Sequence, residues 1–270
     1  MRTSCRLELV AAAFVASVAL PALLSSPPAG ADLGDVIRSI PCAGANTDDL
    51  AWVGGILYQV NFAPTELKLI YRIDPVTGAV LGSIPPAGTS PQGLTFDGEF
   101  LWQSDVGGRI IYKLDPTTGQ ILAQFAAPGD TPQPLGMGWD GASLWLADSR
   151  SPEKIWELDR SGVALGNFPA PGPSPYGLDW AGGFIWVSDN VVGGLATIYK
   201  MDPSTGTILA SFPCPGGGGS PNGIAHDGEH LWIAVNSTDM IYQVDDGLGS
   251  AAIADGLHVD STWGAIKALY

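Results

Sequence analysis

A repeat of about 43 residues constrains the fold of this chain more than any other feature. Its fullest copy runs from Pro91 to Phe125 and contains the segments PQGLTFDG, FLWQSD, IIYKLDPTTG and QILAQF. Three aromatic columns keep one register through five copies, and the members of the first column are 44, 43, 41 and 46 residues apart. The columns hold Trp52, Phe96, Trp139, Trp180 and His226; Tyr58, Trp102, Trp145, Trp186 and Trp232; and Tyr71, Tyr112, Trp156, Tyr199 and Tyr242. Such a period indicates units that bury their apolar faces against one another.

Each unit predicts four short β-strands, because turn signals separate its apolar segments. Asp-Gly pairs that begin at Asp97, Asp140 and Asp227 lie between apolar runs, which is a strong hairpin signal since these turns need positive φ. Residues 115–119, with the sequence DPTTG, form a second turn signal that has relatives in other units. Four-stranded units at this period are typical of β-propeller blades, and the aromatic columns are then expected to pack between blades.

The number of fourth strands predicts how the ring closes. Fourth strands are predicted at Val36–Ile40, Val80–Ile84, Ile121–Phe125, Val163–Phe168 and Ile208–Phe212. The first precedes any complete blade, whereas the fifth unit has no fourth strand after Tyr242. The N-terminal strand is therefore expected to complete the last blade, which removes free sheet edges. We predict an all-β, five-bladed β-propeller over residues 32–246, closed by this strand.

The first 31 residues have the pattern of a secretory signal peptide. Arg2 and Arg6 precede an apolar run from Ala11 to Leu24, and small residues that end at Ala31 form a cleavage site. An uncleaved anchor is the alternative, although the run is short for a membrane span. We therefore expect a secreted or periplasmic protein after cleavage near Ala31.

The last residues, 247–270, do not fit the repeat and are assigned to a C-terminal tail. Trp263, Ile266 and Tyr270 recur there at helical spacing. A short helix docked on the propeller is expected. The alternatives are a tail that serves secretion or docks on a partner, and a disordered segment.

Composition narrows the choice of partner. The chain has 12 Lys and Arg against 27 Asp and Glu, a net charge of −15, which argues against nucleic acid and anionic membrane surfaces as partners. A hydrophobic content of 46% with nine Trp indicates a packed core. No further apolar segment predicts a membrane span in the mature chain. We expect a monomer whose ligand is a protein, a peptide or a glycan.

The candidate functional residues lie where the propeller topology brings loops together. Entries to the inner strands and exits from the second strands share one face around the central channel, here called the channel-mouth face. The exits carry Asn61, Asp105, Asp148 and Asp189, with Asn236 displaced by one position. The entries carry Asp48, Gln92, Leu135, Tyr176 and Asn222, and Asp49 stands where the other units have Gly. Carboxylates and amides are thus expected to converge from different blades.

Two roles are open for these residues. Hard cations prefer oxygen ligands, so Asp105, Asp148 and Asp189 are candidate ligands of a Ca²⁺ ion. The alternative is that an Asp repeated at a strand end makes a local turn hydrogen bond in each blade. Repetition favours a structural device. The asymmetric residues are therefore the better candidates for ligand binding, and these are Asp48, Asp49, Tyr176 and Asn222.

The histidines and cysteines indicate functional roles less clearly than the acidic and amide residues do. His226 occupies an aromatic column, which favours a packed and hydrogen-bonded role over catalysis. No serine lies in a nucleophile elbow, and no spacing indicates a zinc site. Cys42 and Cys214 both follow a fourth strand, and an oxidising compartment makes them a candidate disulfide. Free thiols are the alternative, because the Cα atoms of a disulfide must lie within ~7 Å.

The repeat resembles that of secreted bacterial propellers of the streptogramin lyase-like and YVTN-like kind. The resemblance covers nearly all of residues 36–245 and implies the propeller fold. The lyases are seven-bladed, and their chemistry implies His and Glu on the channel face with a bound Mg²⁺. This chain has five units and no such His column.

The chain is also similar to the five-bladed glutaminyl cyclases, or glutamine cyclotransferases. Residues 92–94 (QGL) and 101–104 (LWQS) resemble that family's Gln-Gly-Leu and Leu-Tyr-Glu-Ser. The resemblance implies candidate catalytic positions at Gln92 and Gln103, but the family's glutamate falls on Gln103, an amide that cannot serve as acid or base. Asp105 is the nearby carboxylate that could substitute.

These observations predict a binding or interaction module that uses the channel-mouth face, with Ca²⁺ as a candidate stabilising ion. A divergent glutaminyl-peptide cyclotransferase-like enzyme is the first alternative, which leaves catalysis an open question. A structural envelope protein is the second alternative.

Overall fold

The computed structural model describes residues 32–248, apart from residues 45, 63–66, 131, 192–194 and 218. Within these residues twenty β-strands form five four-stranded antiparallel sheets. The inner strand of each sheet contacts the inner strands of two other sheets, so the sheets form a closed ring. The predicted all-β, five-bladed β-propeller is confirmed. The predicted signal peptide and helical tail lie outside the described residues.

The blades follow the sequence repeat, with one strand before the first blade, β1 (Val36–Pro41). Blade 1 contains β2 (Thr47–Val53), β3 (Ile56–Asn61), β4 (Ile70–Ile73) and β5 (Val80–Ile84), and blade 2 contains β6 (Pro91–Phe96), β7 (Leu101–Asp105), β8 (Ile110–Leu114) and β9 (Ile121–Ala126). Blade 3 contains β10 (Pro134–Trp139), β11 (Leu144–Asp148), β12 (Lys154–Leu158) and β13 (Ala164–Pro169), and blade 4 contains β14 (Pro175–Ala181), β15 (Phe184–Asp189), β16 (Thr197–Met201) and β17 (Ile208–Pro213). Blade 5 contains β18 (Pro221–His226), β19 (Leu231–Val235) and β20 (Met240–Val244), with a 3-10 turn at Asn236–Thr238 between the last two.

The N-terminal strand closes the ring as predicted. β1 pairs antiparallel with β20, which places Ser39 opposite Tyr242 and Ile40 opposite Ile241. Ile40 is buried in the cluster between blades 1 and 5, so the closing strand contributes to the core as well as to the ladder. Blade 5 thereby combines strands from the two ends of the described chain.

The aromatic columns pack between and within blades. Trp52 of blade 1 stacks on Trp232 of blade 5 with ring centroids 6.3 Å apart, and Trp180 of blade 4 stacks on Trp145 of blade 3 at 6.1 Å. Three Trp of the second column also lie against a Phe of their own fourth strand, and these pairs are Trp102–Phe125, Trp145–Phe168 and Trp186–Phe212. Each ring buries a large apolar area, so the columns stabilise both the blades and their junctions.

The Asp-Gly turns explain why the second column is Trp. The Asp97 carboxylate accepts the amides of Glu99 and Phe100 through Oδ1, and the indole Nε1–H of Trp102 at 2.9 Å through Oδ2. Blades 3 and 5 repeat this arrangement with Asp140–Trp145 and Asp227–Trp232 pairs. One aspartate side chain therefore both stabilises the turn and accepts the hydrogen bond of the buried indole N–H.

A bulge at the start of every inner strand directs side chains toward the axis. The register of all five inner pairs shifts there, for example between Pro91 and Leu94 opposite β7. Bulges insert extra residues on one strand and re-aim their side chains. In four blades the bulge contains the glycine of the Pro-x-Gly motif. A Cβ built at Gly93 would lie 1.9 Å from the Leu135 carbonyl oxygen, so these glycines permit the close approach of neighbouring blades.

The two candidate disulfide cysteines, Cys42 and Cys214, are not bridged in this structure, which agrees with the free-thiol alternative. Both thiols are free. Cys42 packs with the cluster between blades 1 and 5, whereas Cys214 is buried in the cluster of blades 4 and 5, and this separation explains why they do not pair. Burial raises the pKa of Cys42 to about 11 and that of Cys214 to about 12, which disfavours the reactive thiolate.

The part of the chain that the structure describes contains no helix with the length and apolar character needed to cross a membrane.

Candidate binding site at the channel mouth

The five entry residues converge over the axis of the ring. The bulges bring their side chains together from all five blades, and four of the five side chains are buried: Asp48, Gln92, Leu135 and Asn222. Tyr176 is half-buried and reaches across the channel. The mouth is therefore filled by a group of side chains, here called the axial network, which consists of Asp48, Gln92, Tyr176 and Asn222.

Tyr176 joins three blades. Its Oη lies 3.0 Å from Asp48 Oδ1 of blade 1 and 2.8 Å from Gln92 Oε1 of blade 2. A phenol has a single proton and can donate to one of these oxygens only. Both contacts are hydrogen bonds when Asp48 carries a proton, because its hydroxyl then donates to Tyr176 Oη and Tyr176 donates to Gln92. The geometry thus fits a neutral Asp48.

The environment of Asp48 favours the same protonation state. The side chain is deeply buried, with 5% of the residue exposed, and its Oδ2 has no hydrogen-bond partner among the described residues. Burial raises the pKa of Asp48 to about 8, an effect that the hydrogen bond from Tyr176 offsets only in part. Burial and the nearby Asp48 also raise the pKa of Tyr176, so the phenol keeps its proton. Burial therefore favours the neutral form of Asp48.

Asn222 connects blade 5 to the network. Its Nδ2 donates to the Thr47 carbonyl at 2.9 Å, and its Oδ1 accepts from Asn190 Nδ2 at 3.1 Å. Asn190 follows the second strand of blade 4 and remains partly exposed. Sequence reasoning missed Asn190, since it lies one position beyond the repeated Asp189. The sequence did offer one indication, because Asn190 is a polar residue directly after the end of a second strand.

Asp49 performs a structural task at the axis. It occupies the position that is Gly93, Gly136, Gly177 and Gly223 in the other blades. Its Oδ2 accepts the Leu94 amide at 2.9 Å and its Oδ1 accepts the Ile224 amide at 3.1 Å. Burial raises the pKa of Asp49 well above its usual value. The carboxyl group thus links the inner strands of blades 2 and 5 through blade 1.

The repeated carboxylates serve their own turns. Asp105 accepts the amides of Ser90 and Gly108, and Asp189 accepts the amide of Ser174 at 2.7 Å. Asp148 accepts the amides of Gln133 and Arg150, and Asn61 accepts that of Leu69. These are the local turn hydrogen bonds that were expected as the alternative to a Ca²⁺ site. Asn236 begins the 3-10 turn and receives no such role from its side chain in the described contacts.

The described residues contain no group of three or more His, Cys, Asp or Glu side chains that could hold a metal ion. The three candidate calcium ligands belong to blades 2, 3 and 4, and each lies at its own strand end. A Ca²⁺ ion at any one of them would therefore depend on backbone carbonyls or water for most of its ligands.

Gln103 forms two hydrogen bonds with the backbone of a single residue, Ala87. Its Oε1 accepts the Ala87 amide at 2.9 Å and its Nε2 donates to the Ala87 carbonyl at 2.7 Å. Gln59 of blade 1 makes the same pair of bonds with Ala43. Gln103 is fully buried. The structure therefore separates Gln103 from the axial network, while it places Gln92 inside it.

A second residue that sequence reasoning missed, the acidic Asp179, lies on an inner strand of the ring. Asp179 on β14 occupies a position that is Ala51, Thr95, Gly138 or Ala225 in the other blades. Burial raises its pKa to about 7, and its proximity adds to the rise in the pKa of Asp49. A lone charge in a column of small residues was the signal that could have found it.

His226 is engaged by hydrogen bonds. Its Nε2 lies 2.9 Å from Asp246 Oδ2, and its Nδ1 accepts the amide of Gly228 at 3.1 Å. Because Nδ1 accepts the hydrogen bond from the Gly228 amide, the proton of a neutral ring is on Nε2. This N–H then points at Asp246. This arrangement agrees with the packed and hydrogen-bonded role expected for His226.

Comparison with solved structures shows the fold. A glutaminyl cyclase from Myxococcus xanthus superposes with a TM-score of 0.63 and 17% sequence identity, over 78% of this chain and 95% of that one. A hydrazine synthase from Kuenenia stuttgartiensis gives a TM-score of 0.50 at 17% identity, over 77% and 67% of the two chains. Neither a protein-family model nor a curated protein matches the sequence. The chain thus shares the five-bladed propeller fold of a glutaminyl cyclase.

Proposed function

We propose that this protein is a binding or interaction module that uses its channel-mouth face. The observation that supports the proposal is that the repeated polar residues and the asymmetric polar residues make different kinds of contact. The repeated carboxylates satisfy their own turns, whereas Tyr176 joins the asymmetric Asp48 and Gln92 over the axis. The asymmetric Asn222 donates to the Thr47 carbonyl beside Asp48. Residues that differ between blades and meet at one point are those that a ligand can distinguish.

The ligand class follows from the surroundings of the network. A net charge of −15 disfavours polyanions, and the mouth offers amide, phenol and carboxyl groups to a protein, a peptide or a glycan. Export to the periplasm or the medium, with cleavage near Ala31, belongs to the same proposal. N-terminal sequencing of the mature protein tests that part, and a mature chain that begins at Met1 would contradict it.

Peptide and glycan arrays test the binding proposal. Labelled protein is applied beside two mouth variants, Tyr176→Phe and Asn190→Ala, and a control variant on the opposite face, Thr117→Ala. We expect a ligand whose signal falls about tenfold or more in the mouth variants, since each removes a polar group from the site, and not in the control. Equal binding by all four proteins would refute a role for the channel mouth.

A second candidate function is a glutaminyl-peptide cyclotransferase-like reaction. Two observations favour it: the fold shared with the M. xanthus glutaminyl cyclase, and the buried Asp48 beside Tyr176, whose pKa is raised. In such a reaction the α-amine of an N-terminal glutamine attacks its side-chain amide carbon and ammonia leaves, which requires a proton donor. Ammonia release from a Gln-starting peptide, measured for the parent protein, Asp48→Asn and Asp105→Asn, tests it. Release at the uncatalysed rate excludes the enzyme.

Calcium stabilisation and a structural envelope role stay further hypotheses. A ligand that binds only the folded state must raise its melting temperature. Equal melting temperatures with excess Ca²⁺ and with chelator would remove the metal. A purely structural role would be favoured if neither the arrays nor the peptide assay gave a signal.

A further inference from the structure

Blade 3 differs from the other blades at the rim of the channel-mouth face. A pocket of about 190 Å³ opens there, between the β9–β10 and β11–β12 loops. Its walls include Asp130, Asp148, Arg150, Lys154 and Trp156. None of these residues belongs to the axial network.

The segment that leads into the inner strand is longer in blade 3 than in blade 2, and equal in length to that of blade 5. Four residues separate Gly129 from Pro134 in blade 3, whereas two separate Gly88 from Pro91 in blade 2. A Cβ built at Gly88 would lie 2.4 Å from the Asp105 carboxyl carbon, so that loop packs directly on its aspartate. A Cβ built at Gly129 would lie 3.9 Å from Asp148 Oδ2. The two additional residues therefore leave space beside the carboxylate.

The aromatic wall is also peculiar to blade 3. Trp156 stands where the other third strands carry Tyr71, Tyr112, Tyr199 and Tyr242. Its Nε1–H is shielded from solvent and has no hydrogen-bond partner among the described residues. Buried donors without acceptors are rare in folded proteins, and Trp156, unlike the unpartnered Trp186, lies in the wall of a pocket. An oxygen of a ligand beside Trp156 would supply that acceptor after a small movement of the ring.

Both signs of charge line the pocket. Arg150 and Lys154 contribute two of the nine Lys and Arg side chains in the described part of this acidic chain. The Lys154 ammonium lies 4.9 Å from the Trp156 ring centroid, and the ion pairs recorded for the described residues do not join it to Asp130 or Asp148. A simple anion would be repelled by the two carboxylates and a simple cation by the two basic groups, so the complementary ligand carries both charges.

We propose that the blade 3 pocket binds a small zwitterion of the α-amino-acid class. The ammonium group faces Asp148 and Asp130, the carboxylate faces Lys154 and the Trp156 indole N–H, and an aliphatic side chain lies against Pro132 and Pro152. The volume is below the roughly 300–1,000 Å³ of drug-sized pockets, which suits a ligand of about ten non-hydrogen atoms. This inference goes beyond the proposed binding function, because it places a small ligand on the same face but outside the axial network.

Isothermal titration calorimetry of the full protein with L-leucine tests the proposal. Two matched probes each lack one charge: 3-methylbutylamine has no carboxylate and 4-methylpentanoate has no ammonium group. We expect leucine to bind, and each single-charge probe to bind at least about tenfold more weakly, because a charge-assisted hydrogen bond is lost. No heat with leucine, or equal affinity for all three probes, would overturn the proposal.

Variants separate this pocket from the axial network. Lys154→Gln and the conservative Trp156→Tyr, which restores the residue of the other blades, are each expected to weaken leucine about tenfold. Lys200→Gln removes a cation that lies 4.2 Å from the Phe184 ring in blade 4 and serves as the matched control. Leucine binding that survives both pocket variants would contradict the site. If array ligands still depend on Tyr176 while leucine does not bind, only the pocket is wrong; if both signals are missing, the binding function itself fails.

Discussion

At the scale of single residues, blade 4 lacks one acceptor that three other blades possess. Ala181 replaces the turn aspartate, and the Nε1–H of the fully buried Trp186 consequently has no hydrogen-bond partner among the described residues. A buried donor left unsatisfied costs about 1–3 kcal/mol. The repeat itself therefore indicates which substitution would correct the defect.

We expect Ala181→Asp to stabilise the protein by about 1 kcal/mol, because the new carboxylate would accept the Trp186 indole and the turn amides as Asp140 does in blade 3. Urea denaturation measures the change in the free energy of unfolding. Asp140→Ala is the reciprocal control and should destabilise by a similar amount. An Ala181→Asp protein less stable than the parent would show that the apolar contacts of Ala181 outweigh the missing bond.

The buried acid Asp48 gives stability a definite dependence on pH. Its pKa is raised to about 8 in the folded protein, so the folded state holds a proton that the unfolded state releases above pH 4. The resulting stabilisation is complete below the unfolded pKa and declines as the pH rises through 8. Asp179, with a pKa of about 7, acts in the same direction.

We expect the melting temperature to fall between pH 5 and pH 8, and Asp48→Asn to flatten this slope and to be more stable than the parent at pH 8 by on the order of 2 kcal/mol. The amide keeps a donor for Tyr176 but has no charge to bury. Calorimetry across this pH range measures it. Asp159→Asn is the control, since the pKa of that exposed turn residue is lowered and it titrates below this range. Parallel slopes for parent and Asp48→Asn would mean that Asp48 is ionised in the folded state.

At the scale of strands, the bulges and glycines of the inner strands set the diameter of the ring. A Cβ built at Gly177 would lie 2.1 Å from the Asn222 carbonyl oxygen of the next blade, whereas one built at Gly166 on the outer strand β13 would have no atom within 4 Å. Blade 4 thus has no room for a methyl group at Gly177 on its inner strand, whereas blade 3 has room at Gly166 on its outer strand.

We expect Gly177→Ala to lower the free energy of unfolding by about 3 kcal/mol, since neighbouring blades would have to separate. Gly166→Ala should be neutral or slightly stabilising, because alanine restricts the unfolded chain. Chemical denaturation of both variants measures the difference. Similar values for the two would argue that the ring adjusts its spacing freely.

The strands and turns also show which features of the fold and the site can be predicted from the sequence. The strands, the turns and the closing strand followed from local periodicity, because each blade repeats one pattern of apolar residues and turns. The Tyr176 contacts with Asp48 and Gln92 connect residues 128 and 84 positions apart, and no repeat encodes such pairings. The free state of Cys42 and Cys214 likewise depends on the distance between blades, which a sequence column does not contain. Residues that break the repeat could be selected, but their partners could not.

At the scale of the whole molecule, one strand holds the ring together. β1 supplies the outer edge of blade 5 and buries Ile40 against blade 1. Without it β20 would present an unpaired edge, and a cavity would open in the core.

We expect a chain without residues 32–41 to melt about 10 °C or more below the parent, because several kcal/mol of ladder and core contacts would be lost. A synthetic peptide of residues 32–43, added in excess, should restore part of the difference. Val36→Thr, a change at a half-exposed position of the same strand, is the control and should melt with the parent. Unchanged melting of the shortened chain would show that four strands in blade 5 are not needed.

The closing strand also has a consequence for synthesis. Arg38 and Gln243, which are hydrogen-bonded across the closure, are 205 residues apart, so the contact that completes the molecule is among the last that a growing chain can make. Blades 1 to 4 can form in the order in which they emerge, but pairings of such separation are slow to find. β1 therefore stays without its partner until β20 has been synthesised, and a chaperone has that interval in which to bind it.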